Sequence, residues 1–233
     1  ISNLFINKPT PQYLGLFGDL SGATISNLNL VNVDITGYSY VGAIAGRITT
    51  TSTISNCTVS GSIETLSPSS AYTGGIVGSN AAFGASISDS STNTSIIGEG
   101  WFLGGIAGFN NGTISNAFSQ GSIVGQSSYT GGIAGIQNGT IEYSHSESTI
   151  TGPDYCGGLT GENSADILNS YSSGVLNCNE YGGGLVGTHY GSITNSYSST
   201  VVNGTSDIGG LIGSDWGGSV ENSFWDTQVS GLE

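Results

Sequence analysis

A short apolar tetrapeptide flanked by glycine returns eight times along the chain, closing at Gly18, Gly46, Gly78, Gly108, Gly135, Gly161, Gly187 and Gly213. The successive gaps of 28, 32, 30, 27, 26, 26 and 26 residues settle into a fixed period. A period in this range marks stacked repeats, because one such unit cannot bury its own apolar face. Residues 1–233 therefore read as a single domain.

Aligned on the closing glycine, the units show three apolar columns. Two residues before it stand Leu16, Ile44, Ile76, Ile106, Ile133, Leu159, Leu185 and Leu211. Beyond a short polar connection come Ile25, Ile54, Ile87, Ile114, Ile141, Ile167, Ile193 and Val220. Nine residues further on are Ile63, Ile96, Ile123, Ile150, Leu176, Val202 and Val229, with the first unit out of step at Asp34. Between the second and third columns one parity is small (Cys57, Val59, Ala117, Ser119, Ser144, Ser146, Ser170, Ser172, Ser196, Ser198), while the other carries Phe118, His145, Tyr171 and Tyr197. Alternation at period two is the pattern of a half-buried strand. Forty glycines and many Ser, Thr and Asn residues also oppose helix.

The predicted fold is all-β: a single parallel β-solenoid, or β-helix, of about eight coils with roughly 26 residues per coil. Pairing each strand with its copy one turn later at ~4.8 Å makes a rod ~38 Å long. The glycines are expected to supply positive-φ corners and, where paired as at Gly131-Gly132 and Gly157-Gly158, to let backbones approach closely. Asn27, Asn56, Asn116, Asn169, Asn195 and Asn222 form a polar column that reads as an amide ladder. Tyr40, Tyr72, Phe102, Tyr129, Tyr155 and Tyr181, six residues before the closing glycine, form an aromatic column that reads as corner support.

The tetrapeptides Gly184-Leu185-Val186-Gly187 and Gly210-Leu211-Ile212-Gly213 resemble those of the GLUG-motif repeat proteins. So do the Ile-for-Leu versions at 75–78, 105–108 and 132–135, the Ile-x-Asn-Ser-Tyr-Ser segments at 167–172 and 193–198, and the terminal Asn222 to Thr227. The resemblance covers essentially the full length. It implies repeats of large secreted or surface-attached bacterial and archaeal proteins, including adhesin-like chains and some immunoglobulin-A-cleaving metallopeptidases.

The peptidase association is not expected to carry over, because zinc peptidases need two histidines one helical turn apart with a glutamate beside them. Here His145 and His189 lie in different coils, and both read as surface substitutions, His189 in a turn. No serine sits in a nucleophile elbow, and the glycine runs lack the lysine of a phosphate loop. No catalytic, cofactor-binding or metal-ligating residue is therefore assigned. Asp154, Glu180 and Asp207 in three successive coils pose the one metal question. Aligned acids repel, and Ca²⁺ would relieve that repulsion, yet a solvated acidic edge is the simpler reading. Thr24, Thr53, Ser86, Thr113 and Thr140 with Ser26, Ser55, Ser88 and Ser115 form a hydroxyl array that raises ice or polysaccharide binding, although Glu142, Asp166, Leu168 and Glu221 interrupt it.

Sixteen acidic residues against Lys8 and Arg47 give a net charge of −14. Nucleic acid is an improbable partner for such a chain. No apolar run is long enough to span a bilayer, and with no basic-then-apolar segment at residue 1 any export signal is expected to have been removed or to lie outside this segment. Cys57 reads as a core filler, and a Cys156–Cys178 bridge would require the intervening chain to fold back across an offset of about four residues. Sequons occur at Asn56, Asn93, Asn111, Asn138 and Asn203; those after turns, Asn111, Asn138 and Asn203, are the more accessible candidates for glycosylation, and Asn56 is expected to be tied into its ladder.

Ile1 to Thr10 and Phe224 to Val229 both read as further strand rather than cap, and bare solenoid ends expose pairing edges. The expected function is accordingly a non-enzymatic, extracellular, cell-surface structural protein. It would be a homo-polymer joined through solenoid ends or edges as the subunit of a sheath, fibre or layer. The alternative is an adhesin stalk binding glycan or a partner surface. A polysaccharide-cleaving β-helix enzyme ranks third, since two basic residues offer little for a catalytic groove.

Overall fold

The computed structural model describes residues 1–10 and 12–232. Every strand pairing is parallel and joins a strand to its equivalent in the next coil, which makes a β-solenoid of about eight turns with roughly 27 residues per turn. The period follows from the columns: Ile25, Ile54, Ile87, Ile114, Ile141, Ile167, Ile193 and Val220 are consecutive partners in one ladder. Stacking like on like gives each isoleucine a neighbour of its own shape above and below, and Ile54 through Ile193 are fully buried.

Each coil visits three sheets. The closing strands, such as Ala107–Asn110, Ala134–Gln137, Thr160–Asn163 and Val186–His189, form an eight-stranded sheet. The hydroxyl strands, such as Thr113–Ser115 and Thr140–Glu142, form a second eight-stranded sheet. A sixteen-stranded sheet has a long arm, with strands such as Ser91–Gly98 and Phe118–Gly125, and a short arm, with strands such as Tyr72–Gly74 and Phe102–Gly104. In Thr149–Gly157 and Tyr171–Gly183 one continuous strand rounds the corner from the long arm into the short arm.

The third apolar column also registers, Ile63 with Ile96, Ile123, Ile150, Leu176 and Val202. In the first unit a β-bulge between Leu30 and Val33, with Asn32 at φ 56°, shifts the frame so that Ile35 fills the place assigned to Asp34. The chain leaves the repeat after Phe224–Trp225: Asp226 accepts hydrogen bonds from Gln228 N and Val229 N and caps a helical turn, Thr227–Ser230. Val229 therefore sits on that turn, and the expectation of strand through Val229 is corrected.

The corners are not made by the paired glycines. Left-handed φ values fall instead on Asn27, Asn56, Asp89, Asn116, Tyr143, Asn169, Asn195 and Asn222, one per coil at the same offset. Asparagine tolerates this conformation better than other side-chain-bearing residues. That is the main reason for the asparagine column: hydrogen bonds between neighbouring amides link only Asn56 to Asn27 and Asn195 to Asn169. The paired glycines serve close approach. A methyl at Gly158 would overlap Gly184 O and press on Ser172, and one at Gly132 would overlap Gly158 O and Ser146 Oγ.

In five coils a serine follows the corner residue (Ser90, Ser144, Ser170, Ser196 and Ser223) and completes the turn. Ser170 Oγ donates to Leu168 O (2.8 Å) and accepts from Ser144 N (3.1 Å), while Ser170 N donates to Ser196 Oγ (3.1 Å). The same relay runs from Ala117 to Ser144 and from Ser196 to Ser223. A corner breaks the backbone ladder, and the hydroxyl replaces the missing acceptor.

Candidate functional site

The aromatic column is a continuous stack. Ring centroids of Tyr13, Tyr40, Tyr72, Phe102, Tyr129, Tyr155 and Tyr181 succeed one another at 4.7–5.6 Å, the coil spacing. Tyr13, one residue out of step in the sequence, joins it by pairing with Tyr40. Arg47 closes that end of the stack, its guanidinium 3.9 Å from the Tyr13 ring centroid and ion-paired with Asp19. A second stack, Phe118, His145, Tyr171, Tyr197 and Phe224, climbs the long arm at 4.5–5.6 Å. His145 thus takes an aromatic place, as expected, and burial lowers its pKa.

His189 does not lie at the surface; that expectation is corrected. It is fully buried at the end of Val186–His189, with Nδ1 3.3 Å from Asn163 Nδ2 and Nε2 3.2 Å from Ser219 O. It continues an interior polar column in which Asn80 donates to Asn110 and Asn110 to Gln137, each at 2.8 Å. Burial lowers the His189 pKa. The signal was present in the sequence, since every member lies two residues after a closing glycine.

Asp154 and Glu180 are register partners, and Asp207 falls one place on, at the aromatic position, with φ 52°. Tyr155 and Asp207 raise the Tyr181 pKa. Among the described residues no three His, Cys, Asp or Glu side chains gather as a metal set.

Cys156 and Cys178 are joined by a disulfide, Cα to Cα 5.9 Å, while Cys57 is a buried free thiol. The fold-back that the bridge needed is the corner itself. Cys178 pairs with Gly152 on the long arm, and the chain turns through Tyr155, at φ 53°, to bring Cys156 round on the short arm. A side chain at Gly152 would press against Cys156 Sγ.

Outside this stapled corner lies an open groove of about 520 Å³. Four coils line it with Gly125 and Gln126; Thr151, Gly152 and Pro153; Asn177, Cys178 and Asn179; and Asn203, Gly204 and Thr205. Asn203 donates to Asn177 (3.1 Å), and Asn177 donates to Thr151 (3.5 Å). No charged residue is in the lining. The sequence pattern did not reveal the groove: its residues recur every 26 positions, but the period does not tell how the corner bends.

Residues 13–61 match the family model of the M26 IgA1-specific metallo-endopeptidase N-terminal region. No curated protein and no solved structure matches the chain. The matched stretch runs from Tyr13, through the closing strand Ala45–Ile48 and the hydroxyl strand Thr53–Ser55, to Gly61 in the next coil. The match points to a protease family and corrects two expectations, that the protein is not an enzyme and that the peptidase association does not carry over. The second rested on the missing pair of histidines with an adjacent glutamate, and the first on that together with the absence of a serine elbow, a phosphate-loop lysine and basic groups. The matching family model describes the N-terminal region of such an endopeptidase. No helix among the described residues is long and apolar enough to cross a membrane.

Proposed function

We propose that the chain is an extracellular recognition scaffold of a protease-related protein, built of GLUG-type repeats, whose outer faces hold a glycoprotein or a partner surface. The observation that carries this reading is the match of residues 13–61 to the N-terminal region of an endopeptidase named for immunoglobulin A1. That substrate is itself an extracellular glycoprotein, which favours a secreted setting. The fold is suited to such a role, because register-stacked coils keep surface groups at a fixed spacing along the axis, and repeat scaffolds commonly bind along such faces.

Immobilised immunoglobulin A1 and unrelated glycoproteins, probed with the purified chain by surface plasmon resonance, test the reading. Saturable binding supports it, and a flat response on all surfaces would refute it. Electrophoresis of the same mixtures, with and without zinc, reads any cleavage. Electron microscopy of the free chain addresses the competing role as a self-assembling sheath, fibre or layer subunit, for which ordered polymers would be required.

A further inference from the structure

The geometry points to the groove at the disulfide corner as a binding site for a neutral oligosaccharide. This deepens the recognition reading and rests on it.

The first argument is charge. The lining offers amides, hydroxyls, a proline ring and glycines, and no ionic group. An ionic ligand would leave water without a counter-charge here. Asp154 and Glu180, next in the chain to Pro153 and Asn179, add a field that repels anions.

The second argument is the backbone. Thr151, Asn177 and Asn203 are successive partners in a parallel ladder, which commits their strands to one another. A peptide adding itself as a further strand finds no open edge on this face. What remains available is side-chain amide and hydroxyl. The Gln126 and Asn179 side chains make no hydrogen bond among the described residues, and Asn203 uses its Nδ2 on Asn177 while its Oδ1 stays free. Paired donors and acceptors of this kind match the hydroxyls of a sugar ring.

The third argument is shape. Four coils, three steps of ~4.8 Å, make a trough roughly 14 Å long, with room for about three pyranose rings at one ring per step. Its floor is kept open by packing: a methyl at Gly204 would overlap Cys178 O and Ile208, and one at Gly125 would overlap Thr130 Oγ1. Pro153 offers an apolar surface to the C–H face of a sugar, and the disulfide fixes the corner before ligand arrives.

Isothermal titration of the intact chain with neutral tetrasaccharides of β-1,4-linked glucose, mannose and N-acetylglucosamine, and with tetragalacturonate, decides the matter. At least one neutral tetramer should bind and tetragalacturonate should not. The Asn177→Ala/Asn203→Ala variant should weaken binding about tenfold, ~1.4 kcal/mol. Thr151→Arg, which fills the trough from an exposed position, should abolish it, with far-ultraviolet circular dichroism confirming the fold. Failure of every neutral tetramer to bind, equal binding of tetragalacturonate, or unchanged affinity in the folded variants would overturn the site. If immunoglobulin A1 or another immobilised glycoprotein still bound under those outcomes, recognition would survive on another face; if none did, both readings would fall.

Discussion

Ser170 shows how much a single small side chain does here. Its hydroxyl serves two coils at once, so Ser170→Ala removes one donor and leaves Ser144 N–H buried without an acceptor. The expected loss is about 1–3 kcal/mol by urea denaturation. His189 carries a pH dependence. Its folded pKa is depressed by burial, so its contribution is complete above the ordinary value near 6.5 and is lost as pH falls below it. The raised pKa of Glu162 acts in the opposite sense, which makes the comparison with a variant necessary. His189→Asn, which restores the residue type of Asn163 and Asn110, should flatten the decline in stability between neutral pH and about pH 5 relative to the native chain. Thermal melts across that range would settle it, and an identical slope in both proteins would remove His189 from the account.

At the scale of the element, glycine acts by allowing contact. Gly158→Ala would drive a methyl into Gly184 O, whereas Gly22, at φ 63°, faces open space. Gly158→Ala should therefore abolish the cooperative unfolding transition or lower its midpoint far more than Gly22→Ala, for which about 1–2 kcal/mol is expected. Equal effects would contradict the close-approach reading. The disulfide closes a separation of 22 residues and ties the two arms across their corner. Cys156→Ser/Cys178→Ser should cost about 3 kcal/mol, seen as a shifted denaturant midpoint.

Across the whole molecule, electrostatics is sparse and one-sided. A net charge of −14 is met by one ion pair among the described residues, Arg47 with Asp19. Screening should therefore relieve repulsion more than it weakens attraction, so raising sodium chloride from ~0.01 to ~0.5 M should raise the melting temperature. A fall would mean that unnoticed favourable charge pairs dominate. Stability comes instead from stacked columns, each isoleucine, serine or tyrosine meeting its own kind one coil away.

The stack itself was legible in the chain because a solenoid repeats its environment. Each of the columns from Ile25 to Val220 had to appear at a fixed offset, and so did the aromatic and asparagine positions. Which job each column performs was not legible. Offset does not tell a hydrogen-bonded amide from one chosen for a left-handed corner, nor an interior column from a turn, and so His189 was misplaced. The disulfide and the groove lie further still from the pattern. Both depend on how sharply two continuous strands bend between Gly152 and Cys156 and between Cys178 and Gly182, and that angle is set by packing across the corner, to which the repeat period is blind.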